Sequence, residues 1–110
     1  MKLNLNEFFL ELNSTTYCII KPDTRLPNYT IGSDLDIFCY DIDTLVKIIL
    51  KVGNQYIDKG LEIDVINMEG QIYIDFICLT SGSIEFRFDL YSRLPLYENV
   101  FIKPAFFENI

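Results

Sequence analysis

The sequence predicts an α+β domain with a mixed, mostly antiparallel β-sheet that carries its helices on one face. Two early segments have the apolar spacing of amphipathic helices, and the second half of the chain contains consecutive strand-like runs. Half of the 110 residues are hydrophobic and 15% are aromatic. This composition supports one core. We therefore expect a single domain over residues 1–110.

The first half of the chain alternates between helix and strand signals. Leu5 to Leu12 has apolar residues on one helical face. Thr16 to Lys21 is short, β-branched and aromatic, which is typical of a strand, and the proline-containing stretch Pro22 to Thr30 predicts a loop. We expect a second strand over Leu35 to Tyr40 and a second helix over about Ile42 to Ile57.

The second half predicts an antiparallel meander. The runs LEIDVINM, QIYIDFICL and SIEFRFDLY have strand character, and the short glycine-containing segments between them suit hairpins. Near the end of the chain, Pro104 fits the first turn of a short helix. These runs give the sheet its antiparallel part.

Composition and charge exclude several classes of function. The net charge of −7 argues against a nucleic-acid reader, which needs a basic surface. No apolar run approaches the length of about 18 residues that a membrane span requires. The N-terminal segment lacks the features of a signal peptide, so we expect a cytoplasmic protein.

Histidine and cysteine usage narrows the possible chemistry further. The chain has no histidine, which excludes the usual Ser-His-Asp and Cys-His nucleophilic sites. Cys18, Cys39 and Cys78 each lie within an apolar run, so we expect reduced core thiols rather than a zinc site. Catalysis by this chain would depend on carboxylates, Lys, Arg, Ser, Thr or Tyr.

An acidic stretch at the second predicted strand needs an explanation. Asp41 and Asp43 lie where a helix begins, and either can cap it. Asp36 lies inside a strand, where Asp is disfavoured, and it shares a face with Asp34. Two like charges this close favour a bound cation. Asp34 and Asp36 are therefore the candidate metal ligands.

Two kinds of metal site contain closely spaced aspartates like Asp34 and Asp36. An EF-hand loop beginning at Asp34 would need Gly and Glu where the sequence has Cys39 and Leu45, so it fails. A two-metal phosphoryl-transfer site needs two or three converging carboxylates. Asp34 and Asp36 supply two of these, and a neighbouring strand must supply the third.

The residues around this pair resemble a known family. The run Gly32-Ser33-Asp34-Leu35-Asp36-Ile37 is similar to the Gly-Ser and Asp-x-Asp signature of the nucleotidyltransferase fold superfamily, which includes DNA polymerase beta. With the strand before it and the helix and strands after it, this stretch resembles the minimal nucleotidyltransferase-like proteins of bacterial surface-polysaccharide clusters. The resemblance covers about residues 17–89.

The resemblance implies an activity and roles for individual residues. It implies Mg²⁺-dependent transfer of a nucleoside monophosphate from a nucleoside triphosphate, such as ATP, to an unknown hydroxyl acceptor. Gly32, Ser33 and Lys21 would contact the triphosphate, with Arg25 and Lys47 as further candidate phosphate contacts. A third aspartate would join the pair as metal ligand and help activate the acceptor. A partner protein or a further C-terminal domain would bind the acceptor.

Three aspartates compete for the third carboxylate position. Asp89 shares a strand face with Arg87, with Glu85 just beyond, so a structural ion pair would account for it. Asp75 has no basic neighbour in its own strand, which calls for a cation from elsewhere. The sequence therefore favours Asp75 as the catalytic and metal-binding residue, with Asp89 as the alternative and Asp64 as a weaker option.

Two other interpretations remain open at the level of sequence. In the first interpretation, the domain has the same fold but is catalytically inactive and serves as a binding or regulatory module. Alternatively, it is a plain structural α+β domain whose acidic residues belong to turns and helix caps.

Overall fold

The computed structural model describes residues 2–20 and 25–92 of the protein and the backbone of residues 96–97 and 100–101. Along this part of the chain the elements are α1 (Leu5–Leu12), β1 (Tyr17–Ile20), β2 (Ser33–Cys39), α2 (Ile42–Gly53), a 3₁₀ helix (Asn54–Lys59), β3 (Leu61–Met68), β4 (Gln71–Cys78), β5 (Ile84–Tyr91), β6 (Leu96–Tyr97) and β7 (Val100–Phe101). The predicted α+β class is confirmed. The helix predicted from Pro104 lies outside the described residues.

The main sheet has five strands in the order β1-β2-β5-β4-β3. The meander β3-β4-β5 is antiparallel throughout, as predicted, and β1 pairs antiparallel with β2. The exception is β2, which runs parallel to β5. The mixed, mostly antiparallel sheet is therefore confirmed, and its order brings β2 beside the last strand of the meander. Strands β6 and β7 form a separate antiparallel pair.

Both α-helices begin at side-chain caps. Asn4 Oδ1 accepts a hydrogen bond from the Asn6 N–H at the start of α1. Asp41 caps α2 by accepting bonds from the Thr44 N–H at 3.1 Å and the Thr44 hydroxyl at 2.6 Å. These bonds lower the pKa of Asp41. The predicted capping role of Asp41 is therefore confirmed, and it explains this acidic residue without a ligand.

The second helix is shorter than its apolar spacing predicts. The α-helix ends at Gly53 rather than near Ile57, and the 3₁₀ helix continues to Lys59. Gly60 then adopts a left-handed conformation with φ of 97°, which favours glycine and ends the helical segment. The tighter 3₁₀ turns still place Tyr56 in the core.

The helices cover one face of the sheet. Phe8 of α1 packs against Phe88 of β5 with a ring-centroid distance of 5.0 Å and against Phe76 of β4 at 5.7 Å. Leu45 and Ile49 of α2 are fully buried in the same cluster. On the other face, buried hydrophobic residues form only a smaller cluster within the described part of the chain. That cluster contains Cys18, Ile20 and Phe38, with Tyr91 packed against it. We call this second side the polar face, because charged residues lie along it.

The three cysteines are free thiols, as the sequence predicts. Cys18 and Cys39 are buried, Cys78 is partly buried, and all three are free. Burial raises the pKa of Cys39 to about 12. Among the described residues, no helix combines the length and the apolar character that a membrane crossing requires.

Candidate functional site

Charged and polar residues lie in rows across the polar face. Residues that are directly opposite in adjacent strands point to the same side of a sheet. One row runs from β3 to β2 and contains Asp64, Asp75, Arg87 and Asp34. The next row contains Ile66, Tyr73, Asp89 and Asp36. Strand register thus determines which acidic groups are neighbours.

Three of these carboxylates converge at the boundary between β2 and β5. One oxygen from each of Asp34, Asp36 and Asp89 lies within 4.8 Å of the others. Asp34 is exposed, Asp36 is half-buried, and Asp89 is only 6% exposed. We call these residues the acidic triad. Their oxygens are the ligands that hard divalent cations such as Mg²⁺ prefer, so the donor set fits that ion.

Asp75, which the sequence favoured for the third position, lies elsewhere on the polar face. The Arg87 guanidinium donates to both of its oxygens, from Nε at 2.6 Å and from Nη2 at 2.9 Å. Arg87 also lies over the Tyr73 ring, 4.3 Å from its centroid. The bond to Asp75 raises the pKa of Arg87. Arg87 therefore supplies a positive charge to Asp75 from the adjacent strand. Metal binding at Asp75 was expected because its own strand has no basic neighbour.

The predicted ion pair between Arg87 and Asp89 is wrong, because Arg87 binds Asp75 in β4 instead. Strand order explains why Asp75 is remote from the pair in β2. Strand β5 lies between β2 and β4, and a separation of two strands corresponds to about 10 Å. Asp64 in β3 is one strand further away. The geometry favours Asp89, the alternative, as the third carboxylate.

Glu85 was grouped with Arg87 and Asp89 in the sequence, but it has a separate structural role. It lies at an irregularity in the β4–β5 ladder, where Phe76 pairs with Phe86 and Ile77 pairs with Ile84. The Tyr29 hydroxyl donates to Glu85 Oε2 at 2.6 Å, which gives the buried carboxylate a partner. Glu85 therefore ties the loop before β2 to β5.

Gly32 and Ser33 form the turn that leads into β2. Gly32 has φ of 85°, a conformation that favours glycine. Its N–H donates to the Glu85 carbonyl at 2.9 Å, and the Ser33 N–H donates to the Thr30 carbonyl at 3.0 Å. Both N–H groups are therefore already hydrogen-bonded within the protein. The expected contact of Gly32 and Ser33 with a triphosphate stays a prediction, and the positive φ alone accounts for the glycine.

The Ser33 hydroxyl differs from the two amides. Ser33 Oγ is buried and has no hydrogen-bond partner among the residues that the structure describes. It lines a cavity of about 100 Å³ together with Asp34, Asp36 and the aromatic rings of Tyr29 and Phe86. Ser33 is directly opposite Phe86, so its side chain points to the helix-covered side of the sheet, whereas the acidic triad lies on the polar face. Because an unpaired buried hydroxyl is unfavourable, this position suits a polar ligand atom inside the cavity.

Of the three candidate basic residues, the structure describes Arg25 and Lys47. Lys21 lies outside the described residues. Arg25 is exposed and donates from Nη1 to Thr30 Oγ1 at 3.2 Å in the loop before β2. Lys47 is exposed on α2, which packs on the opposite face of the sheet. Lys47 therefore fits a solvated surface charge better than a phosphate contact.

Two residues near the site were missed in the sequence. The Gln71 side chain donates from Nε2 to Asp89 Oδ1 at 2.9 Å, and the Tyr91 hydroxyl donates to Asp89 Oδ2 at 2.9 Å. The position of Tyr91 could have been predicted from the sequence, because Tyr91 follows Asp89 by two positions and so shares its strand face. Gln71 belongs to another strand, and its position depends on the register of the hairpin.

No protein-family model matches this chain, and neither a curated protein nor a solved structure matches it. The resemblance to nucleotidyltransferases therefore remains a prediction that depends on residues Gly32 to Ile37 and on their arrangement along the chain.

Proposed function

We propose that this protein is a Mg²⁺-dependent nucleotidyltransferase that moves a nucleoside monophosphate from a nucleoside triphosphate to a hydroxyl acceptor. The observation that carries the proposal is the acidic triad. The Asp34-x-Asp36 pair meets Asp89 of the adjacent parallel strand, with one oxygen from each within 4.8 Å of the others. Converging carboxylates on adjacent strands are the requirement of a metal-assisted phosphoryl-transfer site.

In this proposal, Asp34, Asp36 and Asp89 would hold the metal. A divalent cation held by these carboxylates would supply the positive charge that offsets the negative charge developing during transfer. Asp34 is the exposed member, so it faces an approaching triphosphate, whereas Asp89 is almost fully buried and anchors the group. The Ser33 hydroxyl would donate to a phosphate oxygen, because it lines the adjacent cavity and has no partner among the described residues.

The proposed reaction conserves atoms and charge. The acceptor oxygen forms a bond to the α-phosphorus, the bond from that phosphorus to the bridging oxygen of the β-phosphate breaks, and pyrophosphate leaves with the bonding electrons. A carboxylate of the acidic triad assists removal of the acceptor proton. The polar face supplies this group without histidine, which the chain lacks.

A specific observation favours a second candidate function, that of a metal-binding module without nucleotidyl transfer. Both the Gly32 and the Ser33 backbone N–H groups are hydrogen-bonded to carbonyls of the protein. Backbone amides that point at a phosphate are the usual anion-binding device in such turns. With both amides engaged, affinity for a triphosphate would depend on the Ser33 hydroxyl and the metal.

Calorimetric titration separates these candidates from a plain structural domain. The protein is titrated first with Mg²⁺ and then with ATP, and the same titrations are made on the Asp36→Asn variant. The transferase proposal predicts Mg²⁺ heat that Asp36→Asn abolishes, Mg²⁺-dependent ATP binding, and pyrophosphate release when a hydroxyl acceptor is added. Metal heat without ATP binding supports the binding module. Absence of metal heat in the wild-type protein contradicts both.

A further inference from the structure

We propose that Gln71 and Tyr91 are positioning residues that fix Asp89 for metal binding. This inference rests on the proposed metal site, and it assigns a role to two side chains that do not belong to the Asp-x-Asp signature. Each of the two residues donates one hydrogen bond to a different oxygen of the same carboxylate, at 2.9 Å in both cases. Asp89 is therefore held at both oxygens.

The two donors lie beside each other at the open end of the β4–β5 hairpin. Gln71 is the first residue of β4 and Tyr91 is the last residue of β5, and the two are directly opposite in the ladder. Asp89 is two positions before Tyr91, so all three side chains share the polar face. A rigid sheet thus holds the donors, which defines the orientation of Asp89 more closely than a loop would.

The chemistry of the donors requires these bond directions. A carboxylate accepts hydrogen bonds, so the amide of Gln71 must present its nitrogen to Asp89. Gln71 Nε2 also donates to the Tyr73 hydroxyl oxygen at 3.3 Å, a longer bond than the 2.9 Å bond to Asp89. The Tyr91 hydroxyl donates to the other oxygen of Asp89. Both donors are neutral, so neither adds a charge beside Asp89.

This arrangement addresses the repulsion within the acidic triad. Three carboxylates with oxygens within 4.8 Å of one another repel, and this repulsion favours rotation of the Asp89 side chain away from the other two. One hydrogen bond on each oxygen opposes that rotation and leaves further lone pairs on both oxygens for a metal ion. Outer groups of this kind usually change metal affinity by about 10- to 100-fold.

The test compares Mg²⁺ affinity, measured by calorimetry, in the full chain and in three variants. Tyr91→Phe removes only the hydroxyl and keeps the ring, and Gln71→Leu removes the amide at similar size. Tyr73→Phe is the matched control, because its hydroxyl contacts Gln71 rather than Asp89. We expect Tyr91→Phe and Gln71→Leu each to weaken Mg²⁺ binding by about tenfold or more, and Tyr73→Phe to bind like the wild-type protein.

A spectroscopic measurement separates positioning from a general structural role. If Tyr91 donates to a carboxylate that binds the metal, Mg²⁺ changes that hydrogen bond and produces a tyrosine difference absorption in the near ultraviolet. The signal should be lost in Tyr91→Phe and retained in Tyr73→Phe. Thermal unfolding in EDTA checks that each variant is folded. If Tyr91→Phe does not fold, the comparison of Mg²⁺ affinity is made with Gln71→Leu.

The outcomes distinguish this inference from the proposed function. Wild-type protein that binds no Mg²⁺ overturns the metal site itself and the positioning role with it. Wild-type protein that binds Mg²⁺, together with folded Tyr91→Phe or Gln71→Leu variants of unchanged affinity, overturns the positioning role alone. An equal loss of affinity in Tyr73→Phe would also overturn it, because the effect would then not depend on contact with Asp89.

Discussion

Asp36 and Asp89 are directly opposite each other in the adjacent parallel strands β2 and β5, where two negative charges disfavour pairing. The Asp36→Asn variant removes one of these two charges. In the wild-type protein, Mg²⁺ at 100 times its dissociation constant should add about 2.7 kcal/mol, and the variant should lose this gain. Urea unfolding followed by circular dichroism measures both effects.

The control for this experiment is Asp43→Asn, which removes a charge from the first turn of α2 and leaves the acidic triad intact. Asp43→Asn should keep the Mg²⁺ response of the wild-type protein. A wild-type protein of equal stability in Mg²⁺ and in EDTA would contradict the prediction.

The identity of the third carboxylate is tested by two matched substitutions on the polar face. Asp89→Asn should weaken Mg²⁺ binding by more than about tenfold, because it removes a ligand of the acidic triad. Asp75→Asn should leave Mg²⁺ affinity close to that of the wild-type protein. It should instead lower the free energy of unfolding by about 1–3 kcal/mol, because it weakens the paired hydrogen bonds from Arg87. Calorimetry and urea unfolding of the same preparations supply the two readouts.

If Asp75→Asn abolished metal binding and Asp89→Asn did not, Asp75 would be the third carboxylate, as the sequence favours. The geometry of the acidic triad would then have no role in binding.

Elements that depend on nearby residues were predictable from the sequence. The bounds of α1 match the predicted Leu5 to Leu12, because its apolar spacing and the polar residue before it are local signals. The meander was predicted from alternation and short turns. The start of β2 was placed two residues late, at Leu35 instead of Ser33. Parallel pairing with β5 extends the strand up to the Gly32 turn, and that pairing is not visible in the local pattern.

Arg87 pairs with Asp75 rather than with Asp89 for a geometric reason. Side chains two positions apart in a strand are about 7 Å apart, whereas directly opposite side chains in adjacent strands have Cβ atoms about 5 Å apart. The cross-strand partner Asp75 is therefore closer to Arg87 than Asp89 is, although Asp89 is nearer in sequence. Sheet order and register determine which residues form the candidate site, because they bring together residues that are distant in sequence. The sequence alone did not specify this order or this register.

The thiol of Cys78 should titrate near neutral pH. The polar environment supplied by the Ser81 hydroxyl and by the N–H groups of Ser81 and Thr80 lowers the pKa of Cys78 to about 7. Alkylation by iodoacetamide should therefore rise with pH to half its maximal rate at about pH 7, whereas buried Cys39, with its pKa raised to about 12, should remain unmodified in the folded protein. Peptide mass spectrometry after timed alkylation distinguishes the sites.

Ser81→Ala is the matched variant, since it removes the hydroxyl that contributes most to the lowered pKa of Cys78. The midpoint for Cys78 should then move to higher pH. Because the pKa is lowered in the folded state, this thiolate favours folding at high pH, and its contribution is lost as the pH falls through about 7. An unchanged midpoint in Ser81→Ala would mean that the hydroxyl does not stabilise the thiolate.

Gly53 at the end of α2 allows the helix to approach the sheet closely. A Cβ atom at this position would lie 2.6 Å from Cζ of Phe76, whose side chain is fully buried and has little room to move. Alanine normally stabilises a helix relative to glycine by about 1 kcal/mol, but overpacking of a core costs about 1–3 kcal/mol. We therefore expect Gly53→Ala to lower the free energy of unfolding by about 1 kcal/mol, measured by urea titration. Combining it with Phe76→Leu tests the cause. If the clash is responsible, Gly53→Ala should cost less in the Phe76→Leu background than in the wild-type protein, and an equal cost in both would contradict the explanation.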